Sequence, residues 1–205
     1  MQLLDYMEAK KLLDKYGIGS VESRYVSTSA EAVSFSYGNP IVLKVISDKA
    51  LHKAKAGLVK PGLATKAEIT GAFRELTSKA VKLKPYKIIA QKMAHSGVEI
   101  IVGGRADPQF GKFILIGLGG IYVEAFKDFA LRLCPITKAD SMEMLGQLRS
   151  KDIITHNGKM AGTLSAILMK VSRLLIENDG ISELDLNPII VSETGYTAVD
   201  IRILK

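Results

Sequence analysis

The sequence predicts an α/β protein with a mostly antiparallel sheet, and two kinds of pattern support this class. Apolar residues recur at helical spacing in several segments, whereas short apolar runs bounded by glycine or proline are typical of strands. The chain has 205 residues, of which 47% are hydrophobic and 24% are charged. That composition is ordinary for a globular protein, and the length is sufficient for one substantial core or two small ones.

The charge and the cysteine content narrow the classes of function that we expect. The formal net charge is +7 and the pI is near 9.4, but tryptophan is absent and no basic stretch is interleaved with aromatic residues. This pattern disfavours nucleic-acid binding and favours a phosphate-bearing ligand or an acidic partner surface. The sequence has no apolar signal segment, no apolar run of membrane length and a single cysteine, Cys134, which together predict a cytoplasmic protein without a membrane span.

The first elements follow in order from these patterns. An apolar stripe at helical spacing predicts a helix over residues 3–16. Gly17 is expected to end it, because glycine readily adopts the left-handed C-cap conformation. A short strand is expected over residues 21–26, and Ser29 opens a second helix that stops near Gly38.

A strand is predicted over residues 41–46, and Lys44 is its one charged side chain. An ammonium between Val42 and Ile46 on one strand face is costly unless it meets an anion or reaches water. Lys44 therefore either binds a phosphate or extends to solvent from the strand end, and the pattern leaves both interpretations open.

The segment after this strand, residues 47–63, is rich in lysine and contains His52 and the pair Ala56–Gly57. A basic loop that contains glycine can fold over a polyphosphate, with backbone N–H groups adding to the lysine charges. A solvated lysine-rich surface is the alternative, and His52 considered alone has the surroundings of a surface histidine.

The rest of the chain alternates between helical and strand patterns. Amphipathic helices are predicted over residues 65–83, 137–148 and 161–177. Strand-like runs occur at residues 87–93, 98–103, 113–117 and 130–134. The sequence GLGGIYVE at 117–124 has three glycines before Glu124, a pattern that tight turns explain more often than ligand binding. Residues 149–162 are polar and are expected to form an exposed loop.

The last stretch, residues 183–204, predicts a β-hairpin whose register can be derived from its turn. Two alternating apolar runs flank a turn-forming Ser-Glu-Thr-Gly cluster. If Val191 pairs with Tyr196 across that turn, Asn187 lies directly opposite Asp200. Their Cβ atoms are then about 5 Å apart on one face of the hairpin.

The polar face of this hairpin allows two interpretations. An amide oxygen beside a carboxylate can provide the one or two protein oxygen ligands that Mg²⁺ usually takes. The same register places Asp185 opposite Arg202, so a solvated face with an ion pair is an alternative of equal weight. The side chains expected to point into a core from the other face are Leu184, Leu186, Val199, Ile201 and Ile203.

Several of these segments resemble those of one family, in sequence and in order. They are EAKKLLDKYGI, NPIVLKVIS, LHKAKAGLVK, AQKMAHSGVEIIVGGRADPQFG, ILIGLGGIYVE, RLCPIT, ELDLNPIIV and AVDIRI. Together they are similar to the nucleotide-binding subunit of ADP-forming acyl-CoA synthetases of the acetate–CoA ligase type, a relative of the succinyl-CoA synthetase β subunit. The resemblance implies one ATP-grasp domain over residues 1–205, with the N-terminal helix at 3–16. It also implies two α+β subdomains, near 20–90 and 91–205, with a nucleotide between them.

The resemblance further implies roles for individual residues in nucleotide binding. Lys44 matches a lysine that reaches the nucleotide phosphates, and Gly57 belongs to the loop that closes over them. Glu99 matches a carboxylate of the same site. The hinge that lines the adenine corresponds to Gln91, Lys92 and Met93.

Other matched positions are implied to take part in the chemistry. Asn187 and Asp200 match the pair that holds Mg²⁺, which agrees with the register derived above. His52 matches a histidine that carries phosphate between a phosphohistidine of the large subunit and ADP. Glu124 and Arg132 are implied to lie near the transferred phosphoryl group.

The implied reaction converts acyl-CoA, ADP and phosphate into acid, ATP and CoA, with Mg²⁺ and ADP or ATP bound to this chain. Phosphoryl transfer depends mainly on positioning and charge neutralisation, which lysines, backbone amides and a metal supply. The chain has no room for a CoA-binding Rossmann domain and lacks its G-x-G-x-x-G motif. A separate CoA-binding α subunit, assembled with this chain into a heterotetramer, is therefore implied.

Three features depart from the family pattern. Leu58 stands where a second glycine usually follows Gly57, and Pro61–Gly62 interrupts an expected strand. The sequence ITHNGKMAG replaces an LxGxRG motif before the last long helix. Because these changes affect the phosphate-covering loop and a loop near the active site, a diverged subunit that binds nucleotide without catalysis is the alternative function.

Overall fold

A computed structural model of the protein describes residues 2–49, 56–120 and 128–205. The chain divides into two compact units. The smaller unit is Val21–Ala94, and the larger unit combines Met1–Ser20 with His95–Lys205. The N-terminal helix therefore belongs to the same unit as the C-terminal half of the chain.

The described residues form both helices and strands. In chain order they are α1 (Tyr6–Lys15), β1 (Ser23–Val26), α2 (Ser29–Ser36), β2 (Ile41–Ile46), β3 (Val59–Leu63), α3 (Lys66–Ala80) with a 3-10 turn (Val81–Leu83), β4 (Lys87–Lys92), β5 (Val98–Asp107), β6 (Gly111–Leu118), β7 (Phe129–Leu133), α4 (Lys138–Gln147), α5 (Lys151–Ile154), α6 (Ala161–Glu177), β8 (Glu183–Ser192), β9 (Gly195–Ala198) and β10 (Ile201–Leu204).

The smaller unit is a four-stranded antiparallel sheet in the order β1-β4-β2-β3, with α2 and α3 packed on one face. Both helices begin at a threonine cap, Thr28 and Thr65, whose hydroxyl oxygen accepts a backbone N–H three residues ahead. The carboxylate of Glu68 accepts the backbone N–H of Thr65 in return, which completes a capping box. The core between helices and sheet includes Val26, Phe35, Leu43, Val45, Leu58, Ile69 and Leu76.

Strand β3 contains Pro61 and Gly62, the residues expected to interrupt it. Among the described strands it pairs with β2 alone, and its register shifts between the positions opposite Ile41 and Leu43. A proline is tolerated at a sheet edge or a bulge because no ladder hydrogen bond is lost there. Gly62 adopts a φ of +72°, which suits glycine. The strand therefore forms around these two residues.

The larger unit contains a six-stranded antiparallel sheet. Its main path is β10-β8-β5-β6-β7, and β9 pairs with the far end of β8. Helix α6 packs against β5 and β6, and α4 packs against β7 and α6. The N-terminal segment joins the β10 edge of the sheet, opposite to the β7 edge, because Leu3 bridges to Leu204 and α1 packs against β10.

Two local features differ from the predictions. A short helix, α5, occupies part of the segment 149–162 that was expected to be a loop. Strands β5 and β6 are longer than their apolar runs, because they form a hairpin that extends to residues Asp107 and Gly111. Among the helices of the described residues, none has the length and apolar character needed to cross a membrane.

Candidate functional site

The register predicted for the C-terminal hairpin is confirmed. Val191 pairs with Tyr196, and Asp185 pairs with Arg202. Between these two ladders, the backbone N–H of Asn187 donates to the carbonyl oxygen of Asp200 at 3.2 Å. Asn187 and Asp200 therefore lie opposite each other, at a break between β9 and β10.

The two faces of this hairpin differ in burial as the alternation predicted. Leu184, Leu186, Ile201 and Ile203 are buried under the helices. Val199 is an exception, because it lies in the break between β9 and β10. It is half-buried there, and its N–H donates to the carbonyl oxygen of Pro188. On the opposite face Arg202 forms an ion pair with Glu183, with 3.1 Å between Nη1 and Oε1.

The face of the larger sheet that bears Asn187 also bears two carboxylates. Asp185 precedes Asn187 by two residues on β8, and side chains two apart on a strand share a face. Glu99 of β5 pairs with Ile190 and lies on the same face. We call this surface the Asn187 face; Asn187 and Glu99 are both exposed on it.

The glycine-rich segment after β6 packs directly onto Glu99. The N–H of Gly119 donates to the carbonyl oxygen of Glu99 at 2.8 Å. Gly120 has a φ of +67°, and a Cβ atom there would lie 2.5 Å from Glu99 Oε2. A Cβ atom on Gly119 would lie 2.9 Å from the backbone carbon of Glu99, and the φ of Gly120 favours glycine, so this tight turn also contacts a candidate site residue.

Lys44 and Gln91 come together in the smaller unit. Val42 pairs with Gln91 and Lys44 with Ile89, so Lys44 and Gln91 share the face of the sheet opposite to α2 and α3. Lys44 is 5% exposed and Gln91 is fully buried. The alternative in which Lys44 extends to water is therefore wrong. Gln91 Nε2 donates to Ser23 Oγ at 3.1 Å, which orients its amide.

The two residues after Gln91 have different environments. Lys92 donates its ammonium to the carbonyl oxygens of Phe35 and Ser36 at 2.9 and 3.0 Å, at the C-terminal end of α2. It also lies 5.0 Å from the ring centroids of Phe35 and Tyr37. The side chain of Lys92 therefore caps a helix. Met93 is 45% exposed at the end of β4.

Gly57 and Leu58 mark the point where the lysine-rich segment returns to the fold. Gly57 has a φ of +65°, and its carbonyl oxygen lies 3.5 Å from Lys79 Nζ. Leu58 is only 4% exposed and belongs to the core of the smaller unit. The departure from the family glycine at this position therefore has a packing explanation.

An ion-pair cluster on α3 stands beside this turn. Glu75 accepts from Lys60 at 2.7 Å and from Lys79 at 2.8 Å. The hydrogen bonds from Lys60 and then Lys79 lower the pKa of Glu75 to about 2. The cluster connects α3 to β3 immediately after the Gly57 turn.

Arg132 lies on the other face of the larger sheet from Asn187. It pairs with Ile114, which is fully buried under the helices, and its guanidinium binds Glu143 of α4 at 3.0 Å. This environment gives no support to the expected position of Arg132 beside a transferred phosphoryl group, since strand alternation directs it to the helix-covered side.

Two further predicted residues, His52 and Glu124, lie outside the described residues. Sequence reasoning named Asp185 only as an ion-pair partner and did not foresee that it shares a face with Glu99. Side-chain alternation along β8 and β5 could have shown that Asp185 and Glu99 share a face only if the pairing of these two strands had been known. The two strands are distant in sequence.

The pair Asn187 and Asp200 fits a hard cation. Their side chains offer one amide oxygen and one carboxylate, the oxygen donors that Mg²⁺ prefers, and Oδ1 of Asp200 is buried. Within the described ranges, no group of three or more His, Cys, Asp and Glu residues could hold a metal by itself. The pair therefore suits an ion whose remaining ligands come from phosphate and water.

Comparison with known proteins identifies the fold. A family model described as an ATP-grasp domain matches residues 1–204. A solved structure of Candidatus Korarchaeum cryptofilum acetyl-coenzyme A synthetase 1, in complex with coenzyme A, Ca-AMPCP and HgCl⁺, superposes with a TM-score of 0.90 at 34% identity, covering 99% of this chain and 93% of that chain. A second structure of that synthetase, with coenzyme A and Mg-AMPPCP and a phosphohistidine segment pointing towards the nucleotide site, gives a TM-score of 0.82 at 34% identity over 98% of this chain and 92% of that one. The expected ATP-grasp fold is thus confirmed.

Relatives with similar sequences identify the family of this chain more narrowly. The beta subunit of ADP-forming acetate–CoA ligase I of Pyrococcus furiosus is 38% identical over 96% of this chain and 89% of the relative. ADP-forming acetate–CoA ligase I of Archaeoglobus fulgidus is 35% identical over 96% of this chain, which spans only 30% of that longer protein. The chain belongs to the ATP-grasp family and, within it, to the family of beta subunits of ADP-forming acetate–CoA ligases.

Proposed function

We propose that this chain is the nucleotide-binding subunit of an ADP-forming acyl-CoA synthetase. It transfers a phosphoryl group between a phosphohistidine and Mg-ADP, so that acyl-CoA, ADP and phosphate yield acid, ATP and CoA. The observation that carries the proposal is the pairing of Asn187 with Asp200 on one face of the larger sheet. An oxygen pair of this kind is expected where a metal bridges nucleotide phosphates.

The metal ligands are proposed to come from the larger unit. Asn187 and Asp200 would hold Mg²⁺, which neutralises phosphate charge and orients the phosphates for in-line transfer. Glu99, on the same face, is proposed to contact the nucleotide. Its backbone carbonyl oxygen accepts the N–H of Gly119, and its carboxylate lies against Gly120.

The contacts to phosphate and adenine are proposed to come from the smaller unit. Lys44 is buried, and a buried ammonium makes a stronger charge-assisted hydrogen bond to phosphate than an exposed one. Gln91 and Met93 are proposed to line the adenine, together with the backbone of Lys92, whose ammonium binds α2 instead. Gly57 is proposed to belong to the loop that covers the phosphates. Both units together are proposed to form one nucleotide-binding domain, residues 1–205.

The phosphoryl group passes through His52 in this proposal. A neutral imidazole nitrogen forms the new bond to phosphorus while the bond to the donor histidine breaks. In the second step the N–P bond of His52 breaks and a terminal oxygen of ADP forms the O–P bond of ATP. Glu124 and Arg132 remain predicted participants on the family resemblance alone.

A CoA-binding α subunit is the proposed partner. The chain matches 89% of the P. furiosus beta subunit but about 30% of the longer relatives, so the remainder of their length would correspond to a separate polypeptide. We propose a heterotetramer of the two subunits. A cytoplasmic location is proposed as well, because Cys134 is a free, half-buried thiol whose pKa is raised by burial, as expected of a reduced structural cysteine.

ATP formation tests the proposed function. The purified chain, a CoA-binding subunit of known activity, acyl-CoA, ADP, phosphate and Mg²⁺ should yield ATP, and omission of this chain should abolish the product. The variant His52→Ala should bind Mg-ADP and yet form no ATP. Absence of ATP across a range of acyl-CoAs would refute catalysis by this chain.

Nucleotide binding by the chain alone separates the two candidate functions. A ligand at 100 times its Kd raises the free energy of unfolding by about 2.7 kcal/mol, which a melting experiment with Mg-ADP detects. Stabilisation together with ATP formation supports the catalytic subunit. Stabilisation without ATP formation supports the non-catalytic nucleotide-binding module.

A further inference from the structure

The edge of the larger sheet at β6 and β7 has a concentration of exposed apolar side chains. Phe110 is 69% exposed, Leu131 57%, Leu133 52% and Phe129 39%, and the half-buried Phe113 lies among them. We call these five residues the β6–β7 apolar patch. Contiguous apolar surface on a soluble protein often marks a site of protein–protein contact.

The strand register makes the patch continuous. Residues 129, 131 and 133 alternate along β7 and therefore point to one face. Leu133 pairs with Phe113 and Leu131 with Leu115, which extends the apolar surface onto β6. A shallow cavity of about 250 Å³ lies among Asp107, Phe110, Phe113, Leu131, Arg132 and Leu133.

The most exposed member of the patch is held by an ordered turn. Asp107 Oδ1 accepts the backbone N–H groups of Phe110 and Gln109 at 3.0 and 2.8 Å. These hydrogen bonds, that of Phe110 first, lower the pKa of Asp107. Gly111 closes the turn with a φ of +81°. The backbone of Phe110 is thus held in place, which reduces the backbone entropy lost when a partner binds.

The patch lies on the Asn187 face. Asp185 pairs with Gly103, Gly103 with Leu115, and Leu115 with Leu131, so these side-chain positions all share one face of the sheet. β7 is the last strand on this side and, among the described strands, pairs with β6 alone. A protein bound to the patch would therefore lie on the same face as the proposed metal pair.

We propose that the β6–β7 apolar patch is the docking surface for the CoA-binding partner subunit, which packs apolar side chains of a strand-forming segment against it. This inference rests on the proposed function. The partner subunit is favoured over a second copy of this chain by the longer relatives, in which more than two thirds of the polypeptide lies outside the match. That polypeptide must bring a phosphoryl group to the face on which Asn187 lies.

Charge substitutions in the patch test the proposal. Leu131→Asp and Leu133→Asp are compared with Met169→Asp, a control on α6, where Met169 is 40% exposed away from the patch. Affinity for the purified CoA-binding subunit is measured by calorimetry at about 50 and 500 mM salt. The patch variants should bind roughly 30-fold more weakly or worse, as expected for central interface residues, and the control should bind as wild type.

The salt series identifies the kind of contact. Apolar docking predicts an affinity that changes little with salt, whereas recognition of an acidic surface by a chain of net charge +7 predicts a steep loss. Equal affinity of Leu131→Asp, Leu133→Asp and wild type would overturn the proposal. The proposal would also be overturned if the wild-type affinity falls steeply with salt and the two patch variants show the same fall.

Two measurements on the chain alone complete the test. Sedimentation of wild type and Leu131→Asp shows whether the patch joins two copies of this chain; a wild-type dimer that the substitution dissociates would overturn the partner-subunit assignment. Mg-ADP stabilisation of each variant confirms that it is folded. If the wild-type chain does not bind Mg-ADP, the proposed function is refuted, independently of any result on the patch.

Discussion

The two sheets of this protein present their candidate residues in opposite ways. In the smaller unit Lys44 and Gln91 are buried, with 5% and 0% exposure. In the larger unit Asn187 and Glu99 are exposed. A buried ammonium in a strand is costly to the fold, whereas an exposed amide or carboxylate is not.

This difference shows which kind of observation identifies a functional residue in each unit. In the smaller unit, burial singles out Lys44, because a buried ammonium is costly unless polar or anionic groups surround it. In the larger unit, burial gives no such indication, and only the strand register, which places Asn187 opposite Asp200, singles the pair out. Substitutions of the buried residues of the smaller unit should therefore have the larger effects.

The largest effect is expected at Leu58, the residue that replaces a family glycine. Leu58→Ala should lower the free energy of unfolding by about 2–5 kcal/mol, because truncation of a fully packed leucine leaves a cavity. Val81→Ala, at a 53% exposed position of the same unit, should change it by about 0.5 kcal/mol or less. Urea unfolding of the two variants measures both values. A loss below about 1 kcal/mol for Leu58→Ala would show that Leu58 belongs to a loop rather than to the core.

The next effect concerns Lys44. Lys44→Met should weaken Mg-ADP binding about 100-fold, because a hydrogen bond from a buried charged donor to phosphate contributes up to about 3 kcal/mol. Lys87→Met, an exposed lysine on the neighbouring strand β4, should bind Mg-ADP as wild type. Titration calorimetry measures both affinities. If the two variants lose affinity equally, the difference between buried and exposed lysines has no functional meaning.

A smaller effect is expected in the larger unit. Asp200→Asn should weaken ADP binding roughly 10-fold when Mg²⁺ is present, because the proposed metal ligand loses its charge. Glu183→Gln, which removes the ion pair with Arg202 on the same hairpin, should leave affinity unchanged. Binding is measured with Mg²⁺ and with EDTA. The same loss in both buffers would show that Asp200 supports the fold and not the metal.

The sequence allowed the C-terminal hairpin to be predicted in detail because its pairing is local. A turn and two alternating runs determine the register, and the observed pairs Val191–Tyr196 and Asp185–Arg202 follow from it. The family resemblance predicted the ATP-grasp fold. Local patterns alone predicted only the α/β class.

Features that depend on contacts between distant segments could not be predicted in this way. The side on which Arg132 lies depends on the pairing of β7 with β6 and on helix α4, which provides Glu143. The burial of Leu58 depends on the helices that cover the sheet. The family resemblance implied that Lys92 belongs to a hinge, and in the structure its ammonium caps a helix 56 residues earlier in the chain. In each case a local pattern fits several tertiary environments, and the packing of the whole unit selects one.

The smallest effect is expected from the exposed ion-pair cluster on α3. Lys60 and Lys79 hold the pKa of Glu75 at about 2, below its usual value of 4.5. Since the folded-state pKa is depressed, the stabilisation is fully present above about pH 4.5 and is lost as the pH falls toward 2. Glu75→Gln should therefore be slightly less stable than wild type at pH 6, and the difference should disappear at pH 2.

Melting temperatures of wild type and Glu75→Gln at pH 6, 4 and 2.5 measure this convergence. The effect is small because all three side chains are at least partly exposed to water, which screens the ion pairs. A difference that stays constant over this pH range would show that Glu75 acts through packing rather than charge. A difference larger than that of Leu58→Ala would reverse the order expected for the smaller unit, in which burial and not surface charge dominates the free energy of unfolding.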